Sequence, residues 1–450
     1  MSSPMTTGGR YTVLAAAFLG WMFAGLQMNL TRLSAGSATE DFARRGWLMT
    51  ASERPWHNLL ARGDTDGTSA AQTPRFQEVS PTFLKQQRPR WAARFDSALL
   101  VGAATGGLLF GWLGDRLGRV RAMGTSILCY SLFSGAGYVV ITPEQLLVLR
   151  FLAGLGIGGM WPTGVSLAAE AWSDVSRPML AGLLGTAANV GIVLLSVVAY
   201  FVPLTPDSWR WMMLLGFPSA LLGLWVLGMV PESPAWLAAR HQPGHRGTLT
   251  ALLTPPLLGR TLIGIGLGTV PMLGGWGVTA WFINWTQAVH GVSDYRSAAM
   301  TSLMRGAGAT LGSLFGGYFA TLVGRRTAYF FISLISFSLS EFVYLRLDPT
   351  MSLFPSFVFL VGLISTTFFG WLPLYLPELF PTHARATGSG ISFNFGRYLT
   401  AAGVLGTGAL TAYFHEDYRL AGSVMSLIYA LGMPLILFAP DTRGSKLAAP

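Results

Sequence analysis

Two arginines stand where arginine is expensive. Arg305 and Arg397 each lie inside an apolar stretch long enough to cross a bilayer, and a guanidinium at bilayer depth costs about 2.5–3.5 kcal/mol unless it faces protein or water. Counted along a helix, Arg397 is twelve residues from Arg385 and Arg305 is twelve residues from Gly317. At about 1.5 Å per residue each sits about 18 Å from its helix end, near the midplane. Two cations at one depth attract an anion, so a solute bearing a carboxylate is the expected ligand. The competing reading is structural, with each guanidinium saturated by backbone carbonyls or a buried partner. Neutral polar residues complete the expected solute site: Gln27, Asn29, Asn189, Asn284, Gln287 and Asn394. Trp276, Trp281, Trp285, Trp371 and Tyr375 are expected to supply a stacking wall, with interfacial anchoring as the alternative for any single tryptophan.

A second set of charges closes the apolar stretches. Asp115, Arg116 and Arg119 follow one stretch, Glu170 and Arg177 another, Glu378 and Arg385 a third. Carboxylate–guanidinium pairs between neighbouring helix ends that break when bundles move would favour one arrangement by about 1–3 kcal/mol. The alternatives are solvated charges that only set topology and, for the glutamates, plain helix-end capping. Gly154, Gly156 and Gly159 match the dinucleotide pattern, with Asp174 about twenty residues on. That run lies in one continuous apolar segment without a strand–helix–strand unit, so packing is the expected role. His415, Glu416 and Asp417 lack metal-ligand spacing, and Cys129 is the only cysteine. No cofactor, metal or disulfide is expected.

The elements that must hold these residues are membrane helices. The 450 residues are 51% hydrophobic and 11% charged, with a mean hydropathy of +0.48, whereas soluble domains carry about a quarter charged residues. Blocks of about twenty apolar residues predict twelve spans at 11–30, 92–113, 122–141, 145–169, 179–202, 210–230, 258–283, 298–320, 327–345, 352–376, 386–410 and 420–439. The first reads as a retained helix, because no cleavage-site pattern follows a short hydrophobic segment. The net charge of +10 suits short loops on one face of a bilayer better than a nucleic-acid stripe. Arg116, Arg119, Arg121, Arg177, Arg240, Arg246, Arg325, Arg326 and Arg385 fall on that face, which predicts cytoplasmic N- and C-termini. Two stretches interrupt the rhythm. Residues 31–91 read as a polar, non-cytoplasmic insertion with short helices at best, and 231–257 as a cytoplasmic linker. The expected domains are therefore 1–230, containing the insertion, and 258–450, six helices each.

The two halves repeat. Gly111, Gly118 and Arg119 recur as Gly317, Gly324 and Arg325 at an offset of 206. Glu170 and Arg177 recur as Glu378 and Arg385 at 208, the offset that also relates Asn189 to Arg397, and Pro231-Glu232-Ser233 recurs as Pro440-Asp441-Thr442 at 209. Repeated helical bundles with a solute site at their interface are a transporter design.

These motifs resemble those of the major facilitator superfamily. GWLGDRLGRVR from Gly111 is similar to the signature Gly-x-x-x-Asp-Arg-x-Gly-Arg, and RFLAGLGIGG from Arg150 resembles Arg-x-x-x-Gly-x-Gly. PESPAWL from Pro231 and PDTRG from Pro440 resemble marks of the sugar and organic-ion branches. YLPELFPTHARATGSG from Tyr375 resembles bacterial metabolite:proton symporters of the sialate and aromatic-acid type. The resemblance implies an all-α integral membrane fold of twelve transmembrane helices in two pseudo-symmetric six-helix bundles. It also implies that Arg150 faces the first-half interior in a coupling or gating role. Ala24 and Gln27 stand where that symporter branch often carries acids, and Thr321 and Leu322 replace the Asp and Arg of the signature in the second half. Coupling through another acid, such as Asp96, or facilitated diffusion stays open.

The expected function is secondary transport of a small organic anion, such as a sugar acid or aromatic acid, by alternating access in a cell membrane. A neutral-sugar or organic-cation carrier of the same fold and a non-transporting sensor are the alternatives. The expected partners are the solute, the bilayer and a coupling proton or sodium ion, with the chain acting as a monomer and not as an enzyme.

Overall fold

Apolar composition and local stop signals together set the helices. A computed structural model describes residues 5–48, 79–172, 177–239, 252–255, 257–381 and 384–440. Twelve membrane-spanning helices form two pseudo-symmetric six-helix bundles. The first bundle holds α1 (Thr7–Arg44), α2 (Pro81–Leu117), α3 (Arg119–Gly135), α4 (Pro143–Ala171), α5 (Arg177–Phe201) and α6 (Trp211–Met229). The second holds α7 (Leu257–His290), α8 (Tyr295–Val323), α9 (Arg325–Arg346), α10 (Phe354–Gly370), α11 (Arg385–Tyr413) and α12 (Tyr418–Leu437). Among the described residues eight helices are long and apolar enough to cross a membrane by length and composition. Caps mark several starts. Thr142 and Gln145 form a capping box before α4, Asp294 accepts from Ser297 N before α8, and Asp417 accepts from Arg419 N and Leu420 N before α12. Gly118 (φ 109°) and Gly324 (φ 91°) make the turns between α2 and α3 and between α8 and α9 in backbone conformations that side chains avoid. An even number of spans brings the starts of α1 and α7 and the end of α12 to one side, called here the termini face; the other is the far face.

The polar insertion expected over 31–91 is largely helix wherever it is described. Helix α1 runs fourteen residues beyond its expected end at residue 30, to Arg44, and α2 begins at Pro81 instead of residue 92. The charges that mimic an end to the first span are paired. Glu40 holds Arg44 and Arg88, each at 2.6 Å. Asp41 holds Arg45 at 2.7 Å and Arg210 at 2.6 Å, and accepts from Trp209 Nε1. Gly46, in the left-handed region, is the stop. Residues 49–78, with Trp56, lie outside the described residues, as do 240–251 of the linker, Asp174, and Asp441 and Thr442 of the last repeat motif.

Two expected helices are broken. The α7 span passes through a π-helical segment at Gly274–Thr279 before resuming as Trp281–His290, and α10 ends in a 3-10 turn at Thr367–Gly370 followed by a short helix at Leu372–Glu378. Such π segments re-aim side chains and concentrate at functional sites.

The repeat is visible in the closest helix contacts. A Cβ on Gly102 would lie 2.1 Å from Phe151 O and one on Gly106 2.0 Å from Leu155 O. In the other half, Gly308 meets Phe359 O at 2.1 Å and Gly312 meets Leu363 O at 2.0 Å. The glycines are mates at 206 and their partners mates at 208. Backbone therefore touches backbone at equivalent places on α2–α4 and α8–α10. Gly154 and Gly156 also press on backbone, at Leu99 O and Tyr130 N.

Candidate substrate site between the two halves

Every residue of α1 from Asn29 to Ala43 is buried, as a helix must be when neighbours surround it. The halves are stitched at this depth. Asn29 Nδ2 donates to Ser302 Oγ at 2.9 Å, Ser196 Oγ to Ser302 Oγ at 2.8 Å, Ser97 Oγ to Ala401 O at 2.8 Å and Gln287 Nε2 to Leu33 O at 2.9 Å. These bonds close the far half of the seam. Below them a cavity of about 140 Å³ opens between the halves, lined by α1, α2, α4, α5, α7, α8, α10 and α11. That volume is near the roughly 150 Å³ that accepts benzene in an engineered core.

Arg305, Arg397 and Asn189, from α8, α11 and α5, all line this cavity. Asn189 Nδ2 donates across the seam to Ser313 Oγ at 3.0 Å. Arg397 Nη1 donates to Ala103 O of α2 at 3.0 Å and to Asn394 Oδ1 at 3.3 Å, and its guanidinium lies 4.8 Å from the Phe393 ring centroid. Arg305 is different. It is buried, and its Nε and Nη2 have no acceptor among the described residues.

Arg32 is the residue that sequence reading missed. Assigned to the insertion, it is instead buried on α1, lines the cavity and stacks 4.2 Å from the Trp276 ring that the π segment of α7 carries. Its Nε lies 3.5 Å from Asp96 Oδ2. Asp96 also feels the charges of Arg150 and Arg305. Arg150, wholly buried, donates from Nη1 to Gln27 O at 3.1 Å, with Nε and Nη2 lacking acceptors among the described residues. Three buried arginines, Arg32, Arg150 and Arg305, thus act on one buried carboxylate, and Arg397 lines the same cavity. An apolar wall of Trp21, Trp161, Trp276, Phe369 and Phe393 completes the space.

The other expected solute-site residues lie elsewhere. Gln27 packs between α1 and α6, where its Nε2 donates to Gly216 O and Ser219 Oγ. Trp281 is buried in the second bundle with Nε1 donating to Thr411 Oγ1, and Tyr375 is buried with its hydroxyl donating to Pro440 O. Trp371 is likewise wholly buried away from the cavity. Asn284, Trp285 and Gln287 line a separate space near the far face. Asn394 touches the cavity only through Arg397. Trp281 and Tyr375 each satisfy a polar group on an apolar helix with a partner inside the protein, the alternative to a solute, and Gln27 does so through Nε2 while its Oε1 has no donor among the described residues.

Charge pairs on the termini face join helix ends within each half. Arg119 contacts Asp115 and lies 3.8 Å from Glu170; in the second half Arg325 lies 3.3 Å from Glu378. Arg116 stands apart, its guanidinium over the Trp112 ring at 4.3 Å. Arg177 and Arg385 head α5 and α11, and their side chains lie outside the described residues. Glu232 joins the first cluster: it accepts from Arg119 N at 3.0 Å, Val120 N at 3.1 Å and Ser233 N at 2.9 Å, capping α3. A Cβ on Gly118 would sit 2.2 Å from Glu232 Oε2, a second reason for glycine there. Glu232→Ala is expected to cost about 1.5–3 kcal/mol, seen as a lower unfolding temperature in detergent with solute affinity unchanged.

The sequence profile of the Major Facilitator Superfamily matches residues 94–404. The chain belongs to the Major Facilitator Superfamily. This facilitator is similar to the probable 4-methylmuconolactone transporter of Cupriavidus pinatubonensis, 28% identical over 77% of this chain and 80% of that protein. It is 29% identical to the cis,cis-muconate transport protein of Acinetobacter baylyi over 72% of this chain and 82% of that one. Its fold matches the partially occluded, inward-open xylose transporter XylE from E. coli with a TM-score of 0.68, covering 98% of this chain and 100% of that one; at 18% identity this likeness concerns fold alone. The protein is a multi-pass membrane transporter of small organic solutes.

Proposed function

We propose that this facilitator carries a small organic acid, held by its carboxylate between Arg305, Arg397 and Arg32 with its carbon body against the tryptophan wall. The observation that carries this reading is the pair of buried Arg305 nitrogens without acceptors among the described residues, in a cavity of matching size. A buried donor left unpaired costs about 1–3 kcal/mol, more when charged, and a solute carboxylate removes that cost. Three arginines line the cavity, and the carboxylate beside them, Asp96, is engaged by Arg32, an excess of positive charge that suits an anion. The two relatives described above are named for 4-methylmuconolactone and cis,cis-muconate, both compact carboxylic acids.

Transport proceeds by rocking of residues 1–230 against 258–450, with 231–257 as their tether. The far-half seam bonds release while the termini-face ends of the helices close. Arg305 and Arg397 come from one half and Arg32 from the other, so a bound carboxylate draws on both halves. The excess of basic residues on the termini face supports a cytoplasmic position for that face. The charge pairs from Asp115 to Glu378 hold the helix ends of each half together as it moves.

Asp96 is the coupling group in this reading. A solute carboxylate competes with it for Arg32, and the released carboxylate binds a proton that is given up again when Arg32 returns. The test is uptake of cis,cis-muconate, benzoate and xylose into proteoliposomes with and without an inward proton gradient. Both acids are expected to accumulate in response to the gradient and xylose not at all. Asp96→Asn is expected to abolish gradient-driven accumulation of the acids while keeping their exchange. Saturable xylose uptake that Arg305→Gln leaves unchanged would assign a neutral solute instead.

A further inference from the structure

The far face holds a second cavity of about 210 Å³, lined by other residues than the central one. It straddles the seam. The first half supplies Gly36 of α1 with Lys85 and Arg88 of α2, and the second supplies Asn284 and Trp285 of α7 with His415 and Glu416 of the turn before α12. We infer that this cavity is a binding site for a small carboxylic acid that carries a hydroxyl donor, and that its occupancy holds the far face closed.

The lining has the chemistry of a receptor. Arg88 shares Glu40 with Arg44, which also lies 3.6 Å from Asp207, and Arg88 Nε is buried with no acceptor among the described residues. Lys85 has no ion-pair partner among the described residues. One side of the cavity is therefore cationic and suits a carboxylate. Glu416 on the same lining contributes an acceptor, which repels a second acid but takes a hydroxyl hydrogen. Trp285, buried, and Asn284, 8% exposed, also line the space.

The backbone adds a separate observation. His415 and Glu416 are the only described non-glycine residues with positive φ, at 52° and 64°, and two successive left-handed residues persist where their surroundings over-determine them. A Cβ on Gly36 would lie 2.7 Å from Gln287 Oε1, so glycine there leaves room for the Gln287–Leu33 seam bond beside the cavity. A ligand touching Lys85 on one half and Asn284 on the other loses contacts when the halves part. It binds the closed far face more tightly than the open one and shifts the population toward it.

Mandelate, with ring, carboxylate and hydroxyl, is the probe, and phenylacetate is its control lacking the donor. Equilibrium binding of radiolabelled mandelate to the purified full chain is expected to persist in Arg305→Gln/Arg397→Gln and to weaken at least tenfold when Lys85→Gln is added. Lys85 is exposed, so that change spares the fold. In the otherwise native chain Lys85→Gln alone is expected to weaken the same component, which covers failure of the double variant to fold. Mandelate is expected to bind more tightly than phenylacetate, and Glu416→Gln, which keeps an acceptor but loses its charge, is expected to lower their ratio. Absence of mandelate binding, binding indifferent to Lys85→Gln in both backgrounds, or a ratio untouched by Glu416→Gln overturns the assignment.

Discussion

Arg305→Gln is expected to do two opposite things: weaken acid binding by roughly 10- to 100-fold and raise the stability of the solute-free protein. The first follows from losing charge-assisted hydrogen bonds to the solute carboxylate, about 1.5–3 kcal/mol, at about 1.4 kcal/mol per tenfold. The second follows from the empty state. Nε and Nη2 of Arg305 are buried without acceptors among the described residues, and the carboxylate of the cluster, Asp96, is engaged by Arg32. A shorter, neutral amide removes a buried cation whose only nearby carboxylate among the described residues is already held by Arg32, and whose desolvation penalty is several kcal/mol; a gain on the order of 1 kcal/mol is expected after cavity water is counted. Arg397→Gln is the contrast. It forfeits the donor to Ala103 O, a bond joining the two halves, so it is expected to lose both binding and stability. Equilibrium binding of cis,cis-muconate and thermal unfolding in detergent without solute read both quantities. A purely structural Arg305 predicts that its glutamine variant unfolds earlier, and that outcome would sink the anion site.

How much of the fold and the site is legible in the sequence depends on what each residue's signal competes with. The spans stand out because about twenty apolar residues in a row fit little besides a membrane helix. Their ends do not, since Arg32, Glu40 and Asp41 look like the end of a membrane helix until Arg88 and Arg210 supply partners from distant sequence. The readable clue to the long α1 is the lack of any proline between Leu30 and Gly46. Arg305, Arg397 and Asn189 can be placed because a polar side chain in lipid-facing sequence must point inward. Trp21, Trp161 and Phe369 cannot, as an aromatic on a buried helix has the same signature whether it faces a cavity or a core. Trp281 and Tyr375 show the converse error: their polar atoms serve Thr411 and Pro440. The charge motifs stand at helix ends, and linear spacing does not encode that Arg119 meets Glu170 and Arg325 meets Glu378 inside their own halves.

Gly106→Val is expected to prevent assembly of the first bundle. The Cβ of any residue there would lie 2.0 Å from Leu155 O and 2.6 Å from Leu155 Cα, and backbone cannot rotate out of the way as a side chain can. Helices α2 and α4 would have to part by more than about 1 Å along an interface packed like a crystal, so the penalty exceeds the usual 1–3 kcal/mol of overpacking. Gly102 meets Phe151 O one turn away in the same fashion, so tilting about one contact tightens the other. The displacement also reaches the solute site, because Ala103, whose carbonyl receives Arg397, lies between the two glycines. Loss of monodisperse protein after extraction is the expected readout, with Gly106→Ala a partial version. Gly111→Ala on the same helix is the control: a Cβ there meets nothing within 4 Å, and unchanged yield and unfolding temperature are expected. The repeat sharpens the test. Gly312 faces Leu363 O at the same 2.0 Å as Gly106 faces Leu155 O, with Leu363 Cα at 3.3 Å against 2.6 Å for Leu155 Cα, so both alanine variants should destabilise, Gly106→Ala the more. A tolerated substitution at one and collapse at the other would mean that the halves share a sequence pattern without sharing the contact that the pattern encodes.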